Sequence, residues 1–298
     1  MSMASDRLLR RLEWQVIRRL DGRLKGAHRT VWHGTGIDFT DLREYTPEDD
    51  VRHIDWNVTA RLDEPYIRQY TEERDLTAWL VLDRSASMRF TATEHGKDSV
   101  LNDLAVCLAR MLSHGGNRVG AILYDNQAQQ VIPPHTGRHH TLRMAHEIVK
   151  PPPVPSKAIT DLAGMLRTAA ATARRRSLVF VLSDFIGDRG WERELGKLAW
   201  RHEVVVIRIV DPVELDLPDL GLIVVEDAET GQQVLVDTSD PLLRQRLAGE
   251  VQAREAALAA AMGQAGVTAH RITTDQDLVG ALVRMVRESR LQSRGRRR

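Results

Sequence analysis

Thr77-Ala78-Trp79-Leu80-Val81-Leu82-Asp83-Arg84-Ser85-Ala86-Ser87 is the stretch on which the reading of this chain turns. Its first six residues form a short, mostly apolar run bounded by polar positions, the pattern of a buried strand. The polar cluster therefore falls on the loop at the strand's C-terminal end. Asp83, Ser85 and Ser87 set one carboxylate and two hydroxyls at alternate positions. An all-oxygen group of this kind suits a hard divalent cation such as Mg²⁺ or Mn²⁺.

Working outward, strand candidates alternate with helical patterns from Leu76 onward. Strands are expected at Thr77–Leu82, Arg118–Tyr124, Gln129–Ile132, Ser177–Leu182, Glu203–Val210 and Val267–Ile272. Helices are expected at Gly96–Ser113, Leu142–Val149, Asp161–Arg175, Trp191–Trp200, Pro241–Ala265 and Asp275–Arg287. Such alternation implies an α/β fold: an open, mostly parallel, doubly wound, Rossmann-like sheet with helices on both faces. Unbroken apolar runs such as Leu178-Val179-Phe180-Val181-Leu182 fit central strands buried on both sides. Leu222–Glu226 and Gln233–Val236 flank a Gly-containing connection and read as a hairpin inserted near 212–240. Pro151-Pro152-Pro153-Val154-Pro155 reads as a stiff extended connector.

Upstream, Leu8, Leu9, Leu12, Val16, Ile17, Leu20 and Leu24 recur at mostly helical spacing, so residues 1–30 are expected to form an amphipathic helix. Residues 31–75 are polar and irregular, yet carry Trp32, Phe39, Tyr45, Trp56 and Tyr66. These aromatics predict an ordered segment that wraps a neighbouring domain and ends in a strand at Tyr66–Thr71. The α/β domain then spans 76–290, and 291–298 is a basic tail.

Composition sets the class. The chain has 298 residues, 42% hydrophobic, with a formal net charge of +1. No global field favours nucleic acid or an acidic membrane surface. The single cysteine, Cys107, excludes a disulfide framework and fits a reducing compartment. No apolar stretch approaches the roughly 18 residues that span a bilayer, and no secretory signal is visible. The expectation is a cytoplasmic protein without an integral membrane segment.

In a doubly wound sheet, ligands gather at the C-terminal ends of strands where the strand order reverses. Asp83 closes one strand and Asp184, through Ser183, closes another. Thr160, on the loop entering the helix at Asp161, is a third contributor; it is equally a good helix N-cap. The candidate metal ligands are therefore Asp83, Ser85, Ser87, Thr160 and Asp184. Mg²⁺ keeps octahedral oxygen ligation at about 2.0–2.1 Å and sheds water reluctantly. Hydroxyls and water-bridged carboxylates leave one position for a carboxylate from a protein partner.

This arrangement resembles the metal-ion-dependent adhesion site of von Willebrand factor A domains. A second resemblance lies upstream, in Gly34-Thr35-Gly36-Ile37-Asp38-Phe39, Leu42-Arg43-Glu44-Tyr45, Asp49-Asp50-Val51-Arg52-His53-Ile54-Asp55-Trp56 and Ala60-Arg61. This block is similar to the signature of the domain-of-unknown-function 58 family, which carries it just before a von Willebrand A-like domain. Two positions depart from the family pattern, Glu48 and Thr91, where glycine is usual. The resemblance implies a protein-binding adaptor, not an enzyme, that presents Mg²⁺ to an acidic residue and works with a MoxR-type AAA+ ATPase. Two other readings use the same cleft: a metal-dependent hydrolase, or a scaffold with an empty metal site.

Other constellations read as structure. Asp49, Asp50, Arg52, Asp55 and Arg61, beside Trp56, read as an internal ion-pair network pinning the wrapping segment, with a recognition surface or a charged brace over the metal cleft as the functional alternative. His135, His139, His140 and His146 lack cysteine partners and a His-Glu-x-x-His helix, so they read as loop and surface residues. No P-loop is present. Cys107 lies in a helical apolar stripe and reads as a core thiol. Arg174-Arg175-Arg176 and the tail read as solvated surface.

Overall fold

The computed structural model describes residues 36–46, 51, 54–62, 64–74, 76–89, 96–151, 160–188, 190–226 and 232–285. The expected N-terminal helix, most of the proline connector, the basic tail and the charged trio Asp49, Asp50 and Arg52 lie outside them.

The chain begins with an antiparallel pair, β1 (Gly36–Glu44) and β2 (Tyr66–Arg74), which forms a sheet of its own. Between them lies helix α1 (Trp56–Leu62). Asp55 caps this helix: it is buried, and its Oδ1 accepts from the Val58 amide at 3.3 Å. The strand expected at Tyr66–Thr71 is present and runs on to Arg74. Its partner β1 falls in a stretch that reads as irregular, because two register shifts break the period-two alternation. Trp56, expected to be covered, is 70% exposed.

The α/β domain follows. Its strands are β3 (Thr77–Asp83), β4 (Arg118–Tyr124), β5 (Ala128–His135), β6 (Leu178–Ser183), β7 (Glu203–Val210) and β10 (Thr268–Thr273). Its helices are α2 (Lys97–His114), α3 (Arg138–Val149), α4 (Leu162–Thr172), α5 (Trp191–Arg201), α6 (Pro212–Leu215), α7 (Pro241–Gln264) and α8, over 278–285. The six strands form one sheet in the order β10-β7-β6-β3-β4-β5, all parallel except β5. Counted within the domain, this is the doubly wound 3-2-1-4-5-6 order. The chain winds outward from β3 through β4 and β5, then crosses back to β6 on the other side of β3. The switch point therefore lies between β3 and β6, which pair in parallel from Ala78 opposite Leu178 to Leu82 opposite Leu182.

Both faces of the sheet are buried, which explains the unbroken apolar runs. Leu80, Leu82, Phe180, Leu182, Ile207 and Ile209 pack on one side against α2, α3 and α8, through residues such as Leu104, Leu108, Met144 and Leu282. Trp79, Val81, Val179, Val181 and Val206 pack on the other against Met165, Leu166, Leu195, Leu198 and Leu258 of α4, α5 and α7. Each fully buried side chain of this size contributes roughly 1.5–3 kcal/mol.

β5 continues through Pro133 and Pro134, where the sequence suggests a loop. The strand lies at the sheet edge and bulges where Gly120 of β4 faces the two prolines, so their missing N–H groups break no central ladder. β8 (Leu222–Glu226) and β9 (Gln233–Asp237) form the expected hairpin as a separate antiparallel ribbon.

Candidate metal site

The parallel register of β3 and β6 sets Asp83 and Ser183 side by side at the C-terminal edge of the sheet. The Ser183 hydroxyl donates to Asp83 Oδ2 at 2.6 Å and accepts from the Phe185 amide at 2.9 Å. Asp83 Oδ1 accepts from the Ser85 amide at 3.0 Å, so the aspartate folds the loop after it into an Asx turn. Ser85 and Ser87 share a hydrogen bond between their hydroxyls at 3.1 Å. Ser87 opens a single 3₁₀ turn, Ser87–Arg89. Asp184 follows Ser183, and its Oδ1 accepts from the Ile186 amide at 2.9 Å. Phe185 between them has φ +58°, a conformation that side chains seldom adopt, and its ring packs edge-on against Trp191 at 5.0 Å. Aromatic packing thus holds a strained turn that fixes where Asp184 sits.

Thr160 enters from a third loop. Its carbonyl accepts from the Asp188 amide at 3.2 Å, which joins it to the loop after β6. Gly187 lies so close that an added Cβ would meet the Thr160 carbonyl oxygen at 2.5 Å. The N-cap of α4 is Asp161, whose Oδ1 accepts from the Gly164 amide at 2.6 Å. The capping role suggested for Thr160 therefore belongs to its neighbour. Asp83, Ser85, Ser87 and Asp184 are thus joined directly or through Ser183, and Thr160 is tied to the Asp184 loop through its backbone. All five are buried.

Burial, and then the proximity of Asp184, pushes the Asp83 carboxyl up from 3.8 to about 6, against the pull of bonds from Ser183 and Ser85. Its negative charge is undercompensated. Among the described residues, the cation on Asp184 is Lys97, fully buried at the first position of α2. Its ammonium donates to Asp184 Oδ2 at 2.8 Å and to Glu214 Oε1 on α6 at 2.5 Å. Burial pulls this ammonium down, but Asp184 and Glu214 outweigh burial, and its pKa lies above the ordinary lysine value. Glu214 Oε2 in turn accepts from the Asp211 amide in the capping box of α6. Two carboxylates, Asp184 and Glu214, share this one lysine, and Asp83 lies beside them; the deficit of positive charge is one that a divalent cation matches. The donors are oxygens, which suits a hard ion. Among the described residues no three His, Cys, Asp or Glu side chains cluster as a metal site; this group is built of two carboxylates and hydroxyls.

Lys97, Glu214 and Ser183 escaped the sequence reading. Lys97 did carry a signal: it stands in helical phase with Leu101, Leu104 and Leu108, on the apolar face of α2, where a solvated lysine does not belong. Of the four histidines singled out in the sequence, His135, His139 and His146 are exposed, while His140 is half-buried, its Nε2 2.8 Å from the Val119 carbonyl.

Strand order and switch point define a doubly wound α/β domain with its polar strand ends, the candidate site, between β3 and β6. The chain belongs to the family described as protein of unknown function DUF58, whose model matches residues 41–257. It is 37% identical over 282 residues to an uncharacterized protein of Mycobacterium tuberculosis, covering 95% of this chain and 89% of the relative. A second relative, from Mycobacterium avium, is 35% identical over 159 residues, 53% of this chain and 94% of its own length. Similar solved structures include BatB from Bacteroides thetaiotaomicron (17% identity, TM-score 0.46, 72% of this chain and 98% of that one). They also include the SpRpn10 VWA domain (13% identity, TM-score 0.39, 70% and 94%). At these scores the strand order, rather than the superposition, carries the fold. No helix among the described residues is long and apolar enough to cross a membrane.

Proposed function

We propose that this chain is a metal-dependent protein-binding module rather than a catalyst. The hydroxyls of Ser85, Ser87 and Thr160 and the carboxylates of Asp83 and Asp184 would hold Mg²⁺ or Mn²⁺. The ion would supply a Lewis-acidic point for an acidic side chain of a partner. The observation that carries this reading is the undercompensated Asp83 carboxylate, buried beside Asp184 and a row of hydroxyls at the sheet's switch point. The chain's own residues do the positioning. Ser183 and the Ser85 amide orient Asp83, and the Phe185 turn orients Asp184.

The resemblance noted above favours a MoxR-type AAA+ ATPase as the partner, with this chain supplying recognition and the ATPase the energy. The cytoplasm is the compartment this pairing requires. The test is binding of the purified MoxR-type ATPase from the same organism, with Mg²⁺ and with chelator, to the wild-type chain and to Asp83→Ala. Binding should need the metal and be lost in the variant. Binding that persists in chelator, or that Asp83→Ala leaves unchanged, refutes the proposal.

A further inference from the structure

Lys97 is the most unusual buried group in the described part of the molecule. A lysine at 0% exposure is rare unless paired, and this one is paired twice, with Asp184 and with Glu214. The two partners come from different elements, the loop after β6 and the helix α6 after β7. The ammonium therefore bridges two neighbouring strand ends at the edge that carries Asp83. Asp184 has both oxygens occupied, Oδ1 by the Ile186 amide and Oδ2 by Lys97. Among the described residues no cation pairs with Asp83, whose partners are the side chains of Ser183 and Ser85 and the Ser85 amide.

We infer that Lys97 is a resident counter-ion for the candidate metal site. Its fixed charge neutralises Asp184, keeps the cleft in shape without a divalent ion, and makes the site bind such an ion weakly and reversibly. The inference rests on the metal reading proposed above and goes beyond it. It makes metal occupancy optional for folding, and it names the residue that sets the affinity. The physical basis is charge. A buried carboxylate without a cation costs far more than one that is paired. An ammonium held on a carboxylate of the site also repels an incoming divalent ion over a few ångströms of poorly screened protein. Glu214 is the lysine's second carboxylate partner and holds the ammonium from the side of α6. It also links the cleft to a groove that Glu214 and Ile186 line together with Leu247 and Val251 of α7.

The test uses Mn²⁺ alone as the probe, with binding measured by calorimetry and folding by thermal denaturation in chelator and in Mn²⁺. The chains are wild type, Lys97→Met, Lys97→Arg and the double variant Lys97→Met/Asp184→Asn. Lys97→Met should bind Mn²⁺ at least about tenfold more tightly than wild type. Its melting temperature should fall in chelator and recover in Mn²⁺, by more than wild type gains. Lys97→Arg, which keeps the charge, should restore wild-type affinity, and the double variant should lose the gain. Lys97→Met that binds Mn²⁺ no better than a wild type that does bind, or that stays unfolded in Mn²⁺ as in chelator, leaves Lys97 a structural ion-pair member and overturns the inference. If wild type and every variant fail to bind Mn²⁺, the metal reading itself falls, and this inference with it.

Discussion

Replacing Asp83 by Asn removes one negative charge from the cleft and keeps its shape, so two opposite effects can be read from one variant. Asp83 titrates near 6 in the folded chain against an ordinary 3.8. A displacement of that size corresponds to about 3 kcal/mol. The folded state holds the proton more tightly than the unfolded state. The Asp83 contribution to metal-free stability is therefore highest below the unfolded value, falls as pH rises from about 4 to about 6, and stays reduced above that. Asn carries no such penalty. Its amide oxygen can still accept from the Ser85 N–H, but Ser183 must turn from donor to acceptor, at a cost of about 1 kcal/mol. The remaining gain of about 2 kcal/mol corresponds to a rise of roughly 3 °C in melting temperature for a chain of 298 residues. The assay is differential scanning calorimetry in chelator at about pH 8 and about pH 4, repeated at the higher pH with Mg²⁺. The variant should melt above wild type at pH 8 in chelator and lose that advantage at pH 4. Mg²⁺ should raise the wild type alone. An Asp83→Asn chain that melts below wild type in chelator at pH 8 would refute the charge argument.

Gly187→Ala drives a Cβ against the Thr160 carbonyl; it should cost about 1–3 kcal/mol and weaken Mg²⁺ binding together with melting temperature. Arg208 grips Glu255 through two bonds of 2.9 and 2.8 Å, and Arg271 adds a third at 3.3 Å, tying β7 and β10 to α7. The bond from Arg208 is the main cause that holds the Glu255 carboxyl below its ordinary value. Its contribution is present above the unfolded pKa and is lost as pH falls through the lower folded one. Glu255→Gln should therefore cost about 1–3 kcal/mol at neutral pH and flatten the acid limb of the stability curve, as urea titrations across pH would show. Burial pushes the Cys107 thiol up to about 12, so a maleimide should label it only at the rate of unfolding; rapid labelling of the native chain would contradict its place in the core.

The sheet was legible because its central strands are buried on both sides. Runs such as Val179-Phe180-Val181 leave no competing interpretation, and their ends locate Asp83 and Asp184. Less was legible wherever a residue's role depends on what crosses over from another strand. Ser183 looks like a strand-end serine until β6 lies in register with β3. Lys97 shows in the sequence only as a lysine on an apolar helix face; its partners Asp184 and Glu214 come from other elements. β1 hid behind its bulges, and β5 behind two prolines that only an edge strand tolerates. Thr160 was ambiguous for a local reason: Thr160 and Asp161 can each cap a helix, and the sequence does not rank them.

The bond between Ser183 and Asp83 has a consequence for how the sheet assembles. Strands that are greasy on both sides offer little to distinguish one alignment from the next, because a slip exchanges one apolar contact for another. Sliding β6 by a single residue would set Asp184 against Asp83, two like charges in place of a hydroxyl and its acceptor. The polar edge thus penalises a slip that the barely discriminating interior would tolerate, and it sets the alignment at the strand ends.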